Sequence, residues 1–519
     1  MKTRFGMLLI ALLLCVTAIG QAHITIDNPS TWSGEALRPY IGQTVIFDVP
    51  IIVCNNANGN YIVSPWRRFH PESHGFPESE DYRSTVRVNS KCMFNIDNIP
   101  SPTSAMKEPM HRCGEKIIGL KARVNSTYSL TWISGTWSGN TRADLEAGIP
   151  DLGDYRLLVC GFNVENYFVK NLGQKFLGAD SYSEHQAQRA KVSKALKRIN
   201  ADIFGLVEIE QGSDAVQEIV GDLNKNLPDR SYKYIGNSTT PGSSQSAVFV
   251  YDSKIVEPIN TPVGTDEEVA DRKKMICFRE IKTGEKFIYS INHFKSMNTG
   301  DEYRRFKEAQ AVVKLYNDYR NNPHIREKDV LFMGDMNCYA FTKPIKVFMD
   351  HGMIDLHRAF HGDSSYSYMY ENMASYIDHA ICNGMMYHQV TGMSAFHINS
   401  DEDDRFNYQR SSDETMFRCS DHDPVLVGLK LDSTLVYDPT PQINTCEILS
   451  GESKKMIIQN AYTDDQQSFY AIYTINGWLV EQKKITSPLY EVELPNPAGV
   501  YIVTVYYDGQ IYQRKMIVR

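Results

Sequence analysis

Short apolar runs alternate with stretches of helical spacing between residues 154 and 432, and this alternation restricts the region to an α/β fold. Apolar residues three or four positions apart, as at Val192, Leu196 and Ile199, mark the helical stretches. A polar residue follows each apolar run within two positions, where loops on a rigid sheet can carry chemistry. The strand-like runs are residues 203–207, 247–251, 287–291 and 330–333.

Polar segments in this region together contain the groups that cleavage of a phosphodiester requires. Cleavage needs a cation to neutralise the phosphate, a base to form hydroxide, an acid for the leaving oxygen, and amides that orient the phosphate. The segments supply Glu and Asp for a hard cation, two histidines for proton transfer and two asparagines for orientation. Each is weak alone, but their order and spacing predict a metal-dependent phosphodiesterase. The segments are residues 163–166, Glu208, 292–296, 334–337, 376–379 and 420–424.

These segments resemble those of the endonuclease/exonuclease/phosphatase superfamily, and most of all the large extracellular nucleases that bacteria secrete. The likeness extends to residues 184–191 followed by 201–210, to 365–368 and to 397–402. It covers about residues 154 to 432 and, more faintly, the region before them. The resemblance implies a four-layer α/β sandwich, in which two packed mixed sheets carry helices on their outer faces.

The resemblance also implies which residues would hold a metal and a phosphate. Glu208 would be the main metal ligand, because a lone carboxylate ending an apolar strand is costly without a cation. Asp421 would add to the metal site, and Asn163 would contact metal or phosphate. Asp335 and Asn337 would orient the nucleophile and the phosphate. Oxygen ligands favour Mg²⁺, or else Mn²⁺ or Ca²⁺, over zinc.

Two histidines would transfer protons. His422 is the expected general base, because imidazole titrates near neutrality, and the resemblance gives Asp378 as the partner that fixes its tautomer. His293 would protonate the leaving oxygen. In pancreatic deoxyribonuclease a carboxylate supports this second histidine, but residues 243–246 contain none. Either Gln245 substitutes for it or the support comes from elsewhere.

The amino terminus predicts export. Lys2 and Arg4 precede an apolar run over residues 7–19, and Ala22 ends a small-residue cleavage site. We therefore expect residues 1–22 to be a signal peptide, and the mature protein to be secreted or on the outer surface of a Gram-negative bacterium. No later segment approaches about 18 consecutive apolar residues, which predicts no membrane span.

Two β-rich regions flank the central one. Residues 23–153 predict a β-rich accessory domain. It resembles the OB-like region that precedes the catalytic domain in the extracellular nucleases. Residues 433–446 read as a linker, which leaves 154–432 as the catalytic domain. Residues 447–519 resemble the Ig-like sorting domain of type IX secretion, whose machinery would be a partner, and we expect this domain to be dispensable for catalysis. A carbohydrate-binding or adhesive β-sandwich is the alternative.

Ten cysteines include Cys15, so nine remain after the expected cleavage. An odd number in an exported protein requires at least one thiol outside any intramolecular bridge. Cys160 and Cys382 lie in apolar runs and are expected to be buried thiols. Cys92 and Cys113 lie in a loop-rich region and are the better candidates for a disulfide.

The formal net charge of -8 argues against a protein that grips nucleic acid by its overall charge. A hydrolase needs only a local basic rim, for which Lys295, Arg304, Arg305 and Lys307 are candidates. We expect a monomer that cleaves extracellular DNA, with RNA as a second candidate substrate. The alternatives are a secreted phosphodiesterase or phosphatase acting on lipid or small-molecule phosphate esters, and a non-enzymatic surface adhesin that retains the fold.

Overall fold

A computed structural model describes most of the chain, and the described residues form two compact units. The first unit is drawn from residues 1–68 and 87–141, and the second from residues 69–86 and 142–519. The predicted signal peptide up to residue 21 and the predicted linker lie outside the described residues. The described residues are 22–56, 61–100, 111–173, 178–237, 239, 243–265, 272–297, 301–403, 415–432, 447–450, 455–459, 468–486, 489–495, 498–507 and 510–518.

The first unit is a single sheet that closes on itself. Its strands follow the order β1-β2-β6-β3-β4-β5-β7, and β7 also pairs with β6, so five of the strands form a ring. The OB-like interpretation of this region stays a prediction. The strands are β1 (Ala22–Ile24), β2 (Thr44–Phe47), β3 (Ile51–Asn55), β4 (Tyr61–Ser64), β5 (Phe94–Asp97), β6 (Lys116–Ser126) and β7 (Ser129–Ser138). Helix α1 (Glu80–Cys92) contributes its residues 87–92 to this unit.

The predicted disulfide between Cys92 and Cys113 is wrong. Each sulfur lies in its own buried environment, with Cys92 Sγ against the Trp32 carbonyl and Cys113 Sγ 3.6 Å from Oδ1 of Asn56. All eight cysteines in the described part of the chain are buried outside disulfides, including Cys160 and Cys382 as expected. They pack as small apolar side chains.

Two mixed sheets form the centre of the second unit. The first follows the order β10-β11-β9-β8-β22-β21, and its strands are β8 (Leu157–Tyr167), β9 (Ile203–Glu210), β10 (Tyr232–Ile235), β11 (Gln245–Asp252), β21 (Val390–Ala395) and β22 (Val425–Leu429). The second follows β12-β14-β15-β16-β20-β17, with β13 beside β14. Its strands are β12 (Val256–Pro258), β13 (Val263–Gly264), β14 (Lys273–Glu280), β15 (Lys286–Asn292), β16 (Val330–Asp335), β17 (Ile354–Asp355) and β20 (Asp378–Cys382).

Apolar side chains on alternate strand positions explain why the two sheets pack between helices. Leu157 and Val159 on β8 face the second sheet, whereas Leu158 and Cys160 face the helices of the first. Strands covered on both faces read as continuous apolar runs, as observed in the sequence. The expected mixed α/β sheets are therefore confirmed. The helices of this unit are α2 (Arg142–Ala147), α3 (Tyr182–Ile199), α4 (Asp214–Asn226), α5 (Glu302–Arg320), α6 (Lys343–Asp350), α7 (Leu356–His361) and α8 (Gly384–Tyr387).

Residues 69–86 lie with the second unit, although the sequence analysis placed them in the accessory domain. The His70 backbone N–H donates to the Ala374 carbonyl at 2.9 Å, next to a short hairpin of β18 (Tyr368–Tyr370) and β19 (Met373–Ser375). The Phe341 N–H donates to the Glu72 carbonyl, also at 2.9 Å. These backbone hydrogen bonds tie the segment to loops of the catalytic region.

The carboxy-terminal region is a two-sheet sandwich. One sheet follows the order β23-β24-β27 and the other β26-β25-β28-β29, and they share a core that includes Met456, Tyr470 and Val503. Its identity as an Ig-like sorting domain stays a prediction. The strands are β23 (Glu447–Ser450), β24 (Lys455–Gln459), β25 (Ser468–Thr474), β26 (Leu479–Ile485), β27 (Leu489–Glu493), β28 (Gly499–Tyr507) and β29 (Gln510–Val518).

This sandwich packs into the catalytic region of the same unit. Phe469 and Tyr506 join the core between the two central sheets, together with Met386. The Trp478 ring stacks on Phe341 with 4.3 Å between ring centroids. This packing predicts that removal of the sandwich destabilises the catalytic region. Among the described residues, no helix is long and apolar enough to cross a membrane.

We expect Trp478→Ala to lower the free energy of unfolding by about 1–3 kcal/mol, because it removes both the apolar burial and the stacking on Phe341. Trp66→Ala is the matched control, since the Trp66 side chain is 49% exposed. Guanidinium denaturation followed by circular dichroism measures the difference. Equal stability of the two variants, or of a chain truncated after residue 432 and the full chain, would contradict this packing.

Candidate active site

Strand ends bring the predicted site residues to one edge of the packed sheets. The parallel strands β8 and β9 end there, as do the parallel strands β15 and β16. The antiparallel strand β20 begins there, which places Asp378 opposite Asp335. The predicted residues found at this edge are Asn163, Glu208, His293, Asp335, Asn337, Asp378, Asp421 and His422.

His422 and Asp378 form the predicted pair. His422 Nδ1 lies 2.9 Å from Oδ2 of Asp378, and the Ser367 hydroxyl donates to the same oxygen at 2.7 Å. With its proton on Nδ1, His422 leaves Nε2 free to accept a proton from water. Burial opposes a positive charge on His422, but the carboxylates of Asp378, Asp421 and Asp335 outweigh it and raise the pKa well above its usual value.

Asp335 lies at the centre of the site. Its Oδ2 accepts hydrogen bonds at 3.1 Å from the side-chain amides of Asn163 and Asn337, and its Oδ1 accepts the Asn337 N–H at 2.8 Å. The same Oδ2 is 3.7 Å from His293 Nε2 and 3.9 Å from His422 Nε2. Burial raises the pKa of Asp335 to about 7, and His422 opposes the shift.

Backbone conformation fixes the Asp335 loop. Gly334 has φ +119°, and a Cβ there would lie 2.2 Å from the Asn292 carbonyl oxygen, so only glycine fits. Asn337 has φ 49°, in the left-handed region that asparagine tolerates better than most residues. The turn aims both Asp335 and Asn337 into the site.

A second group of carboxylates lies beside this centre. Glu208 Oε2 accepts the Asn166 N–H at 3.0 Å, and Glu165 Oε2 is buried with no hydrogen bond inside the described part of the chain. Burial and the nearby Asp421 carboxylate raise the pKa of Glu208, and they raise that of Glu165 further. His293 Nε2 lies 3.4 Å from Glu208 Oε1, and the positive charges of Arg418 and His422 offset only part of the shift at Glu165. Glu165 was missed by the sequence analysis, although it lies within segment 163–166.

The residues fit a divalent cation. The Asp421 carboxylate raises the pKa of both Glu208 and Glu165, so these three acids form one cluster, and one Glu208 oxygen also lies within 4.8 Å of ligand atoms of His293 and Asp335. The unsatisfied Glu165 oxygen adds a further acceptor, and carboxylate oxygens are the ligands that hard cations prefer. Asn163 as a ligand stays a prediction, because its side-chain oxygen already accepts the Glu165 N–H at 2.9 Å.

His293 differs electrostatically from His422. Its Nε2 lies 3.4 Å from Glu208 Oε1, but its buried Nδ1 has no hydrogen bond within the described residues. Burial, with the positive charge of Arg272, lowers the pKa of His293 well below its usual value. Gln245 donates to Asn166 Oδ1, so its amide N–H is used away from His293. The general-acid role of His293 stays a prediction.

Two neighbours of the site residues have structural roles. Glu210 accepts the backbone N–H groups of residues 169–171. His379 is buried, and its Nε2 contacts the Cys338 carbonyl at 2.7 Å, as expected for a structural histidine. These contacts hold the backbone, so neither residue is assigned to the active site.

The chain belongs to the endonuclease/exonuclease/phosphatase family, which matches residues 161–422. Members of this family hydrolyse phosphodiesters or phosphate esters, and they generally depend on a divalent metal. The closer likeness to large extracellular nucleases stays a prediction. No curated protein matches the chain.

Several solved structures are similar to 53% of the chain. An endonuclease/exonuclease/phosphatase of Bacteroides vulgatus is 15% identical with a TM-score of 0.38, covering 53% of this chain and 99% of that one. A mannosyl-6-phosphatase of Bacteroides thetaiotaomicron is 16% identical with a TM-score of 0.37, covering 53% and 100%. The human Nocturnin catalytic domain is 12% identical with a TM-score of 0.37, covering 53% and 94%.

We expect Asp378→Asn to lower kcat by ~10²- to 10⁴-fold, because an amide does not stabilise the imidazolium formed on proton abstraction. Ser367→Ala should lower kcat less, by about threefold to tenfold, because it removes only the donor that holds Asp378. Hydrolysis of bis(4-nitrophenyl) phosphate measures both. Asp318→Asn, on an exposed carboxylate, is the control, and a fall of similar size in that variant would contradict the assignment.

Proposed function

We propose that this protein is an exported, divalent-cation-dependent nuclease, with extracellular DNA as the principal substrate. The observation that carries the proposal is the position of Asp335 Oδ2 between the Nε2 atoms of His422 and His293, at 3.9 and 3.7 Å. Two histidines on one buried carboxylate can serve the attacking and leaving oxygens of one phosphate. Family membership supports the hydrolytic reaction.

Glu208, Glu165 and Asp421 would hold the cation, for which we propose Mg²⁺. When bound, the cation supplies charge neutralisation for the phosphate and for the leaving oxygen. The protein side chains supply the remaining functions. A cation beside these carboxylates would oppose the shift that raises the pKa of His422, and neutral His422 would then accept a proton from the attacking water at Nε2 while Asp378 stabilises the imidazolium formed.

The asparagines act through position. Asn337 donates to Asp335 and to the Phe294 carbonyl, at 3.1 and 3.2 Å, so its amide is held between two loops. Asn163 is held by Asp335 in the same way. Both amides thereby hold Asp335 in place, and as neutral groups they add no charge that would repel the reacting phosphate.

Fewer of the candidate basic residues can contact phosphate than the sequence analysis expected. Arg305 is buried at 7% exposure, and its guanidinium donates at 3.3 Å to the Lys295 and Ser296 carbonyls, so it is structural. Lys307 is exposed and lies over the Tyr303 ring. Support for nucleic acid as the substrate therefore comes from the resemblance to extracellular nucleases, together with the amino-terminal export signal.

We expect the protein to nick supercoiled plasmid with Mg²⁺ or Mn²⁺ and to lose this activity in EDTA. Parallel reactions with RNA, bis(4-nitrophenyl) phosphate and 4-nitrophenyl phosphate separate nucleases from monoester phosphatases. Assays of medium, outer surface and cytoplasm with the full chain test export by the same activity. Undiminished nicking in EDTA, or hydrolysis of monoesters alone, would contradict the proposal.

A further inference from the structure

A cavity of about 620 Å³ opens directly beside the catalytic centre. Its inner end is lined by Asn337, whose amide donates to Asp335 Oδ2 at 3.1 Å. The volume is in the usual range for small-molecule sites. Its walls come from residues 72–79, from residues 337–343 and from the turn at residues 475–476. An ester whose phosphate lies at Asp335 therefore has room for its organic part.

Glu72 is one polar group in this cavity that protein hydrogen bonds do not satisfy. Its carboxylate makes no hydrogen bond within the described residues, although its backbone is fixed by the hydrogen bond from the Phe341 N–H. Burial and the neighbouring Glu302 raise the pKa of Glu72 to about 7. A half-buried carboxylate without a donor is costly unless a ligand supplies one.

Tyr339 lies beside Glu72 and adds a second polar group. Its ring stacks on His70 with 3.8 Å between centroids, which fixes the ring, and its hydroxyl has no hydrogen bond within the described residues. Cavity-lining Phe76 packs edge-on against Phe341. The cavity therefore combines aromatic walls with one acceptor and one hydroxyl, which suits a ring that carries hydroxyl or amino groups.

The charges in the cavity disfavour a second phosphate. Its lining carries three carboxylates and three cationic groups, but Arg305 is held by backbone carbonyls and Lys346 by Asp350. Glu72 would repel a further anion at the inner end. The part of the group that lies against Glu72 is therefore neutral, whereas Lys343, the remaining cation of the lining, is exposed to solvent.

We propose that this cavity binds the hydroxyl-bearing group esterified to the reacting phosphate, and that Glu72 accepts a hydrogen bond from the neutral ring of that group. The inference rests on the proposed hydrolysis of phosphodiesters and deepens it. A nucleoside and a sugar share this chemistry, so the test compares both sources.

The test uses three 4-nitrophenyl phosphodiesters that differ only in the second group, namely thymidine, glucose or methyl. Glu72→Gln should lower kcat/KM for the thymidine diester by about 10- to 100-fold, mostly through KM, the usual effect of losing a charged hydrogen bond. The methyl diester should change less than about twofold, because it does not reach Glu72. Tyr339→Phe should act in the same direction, and Glu80→Gln, on an exposed carboxylate of the same segment, is the control.

Equal losses on the thymidine and methyl diesters, or no loss on either ring-bearing diester, would overturn the proposal. Sensitivity confined to the glucose diester would support the cavity assignment and overturn nucleic acid as the substrate. If the unmodified protein hydrolyses none of the diesters, the proposed function fails, and calorimetry decides the cavity separately. Thymidine 5′-phosphate or glucose 6-phosphate should then bind at least about tenfold more tightly than inorganic phosphate, with the gain lost in Glu72→Gln.

Discussion

Repulsion among closely spaced carboxylates at one edge of the two sheets is the constraint on which the site depends. Asp335 and Asp378 meet across paired strands, and Glu165, Glu208 and Asp421 lie beside them. Like charges at short range raise the pKa of the weaker acids and cost native-state stability. His422 offsets part of this repulsion for Asp378 and Asp335, but Glu165 Oε2 is buried without a hydrogen bond among the described residues. A divalent cation is the group whose charge resolves this imbalance.

The two apolar layers hold these groups together in spite of the repulsion. At Gly205 a Cβ would lie 2.2 Å from the Tyr289 hydroxyl, so the sheets approach closely just below the site. Within the second sheet, Gly334 allows the end of β16 to lie close to the Asn292 carbonyl of the neighbouring strand β15. Because strand ends on a packed core move little, the distances among Asp335, His422 and His293 are set before any ligand binds.

Much of this arrangement could be predicted from the sequence, for a physical reason. Strands covered on both faces are apolar throughout, so the carboxylates and histidines that follow them stand out. The partnership of Asp378 with His422 came from family resemblance, and the structure brings the two together. The role of Glu165 was not predicted, since its importance lies in the burial of an unpartnered oxygen, which local sequence does not encode.

Long-range packing explains the other differences. The contact of Trp478 with Phe341 joins regions that no local pattern links, so the sequence suggested a separable terminal domain. The same holds for Glu72, which comes from the amino-terminal region yet lines a cavity beside Asn337. Cys92 and Cys113 were candidates for a disulfide because of their loop-rich context alone. The structure buries the two sulfurs in separate environments, so they do not form one.

The central claim is that the unsatisfied carboxylates form a cation site. The most direct test measures the free energy of unfolding of the wild-type protein and of Glu165→Gln, each in EDTA and in Mn²⁺. Folding raises the pKa of Glu165, so the protonated carboxyl stabilises the folded protein. This stabilisation is lost as the pH rises through the pKa of the folded state, and it is absent when the group is ionised. In EDTA above that pKa, Glu165→Gln should therefore be the more stable protein, by on the order of 1 kcal/mol. In Mn²⁺ the wild-type protein should gain more than the variant, because only it keeps the full set of ligands. Lower stability of Glu165→Gln in EDTA, together with an equal gain from Mn²⁺ in both proteins, would contradict the account.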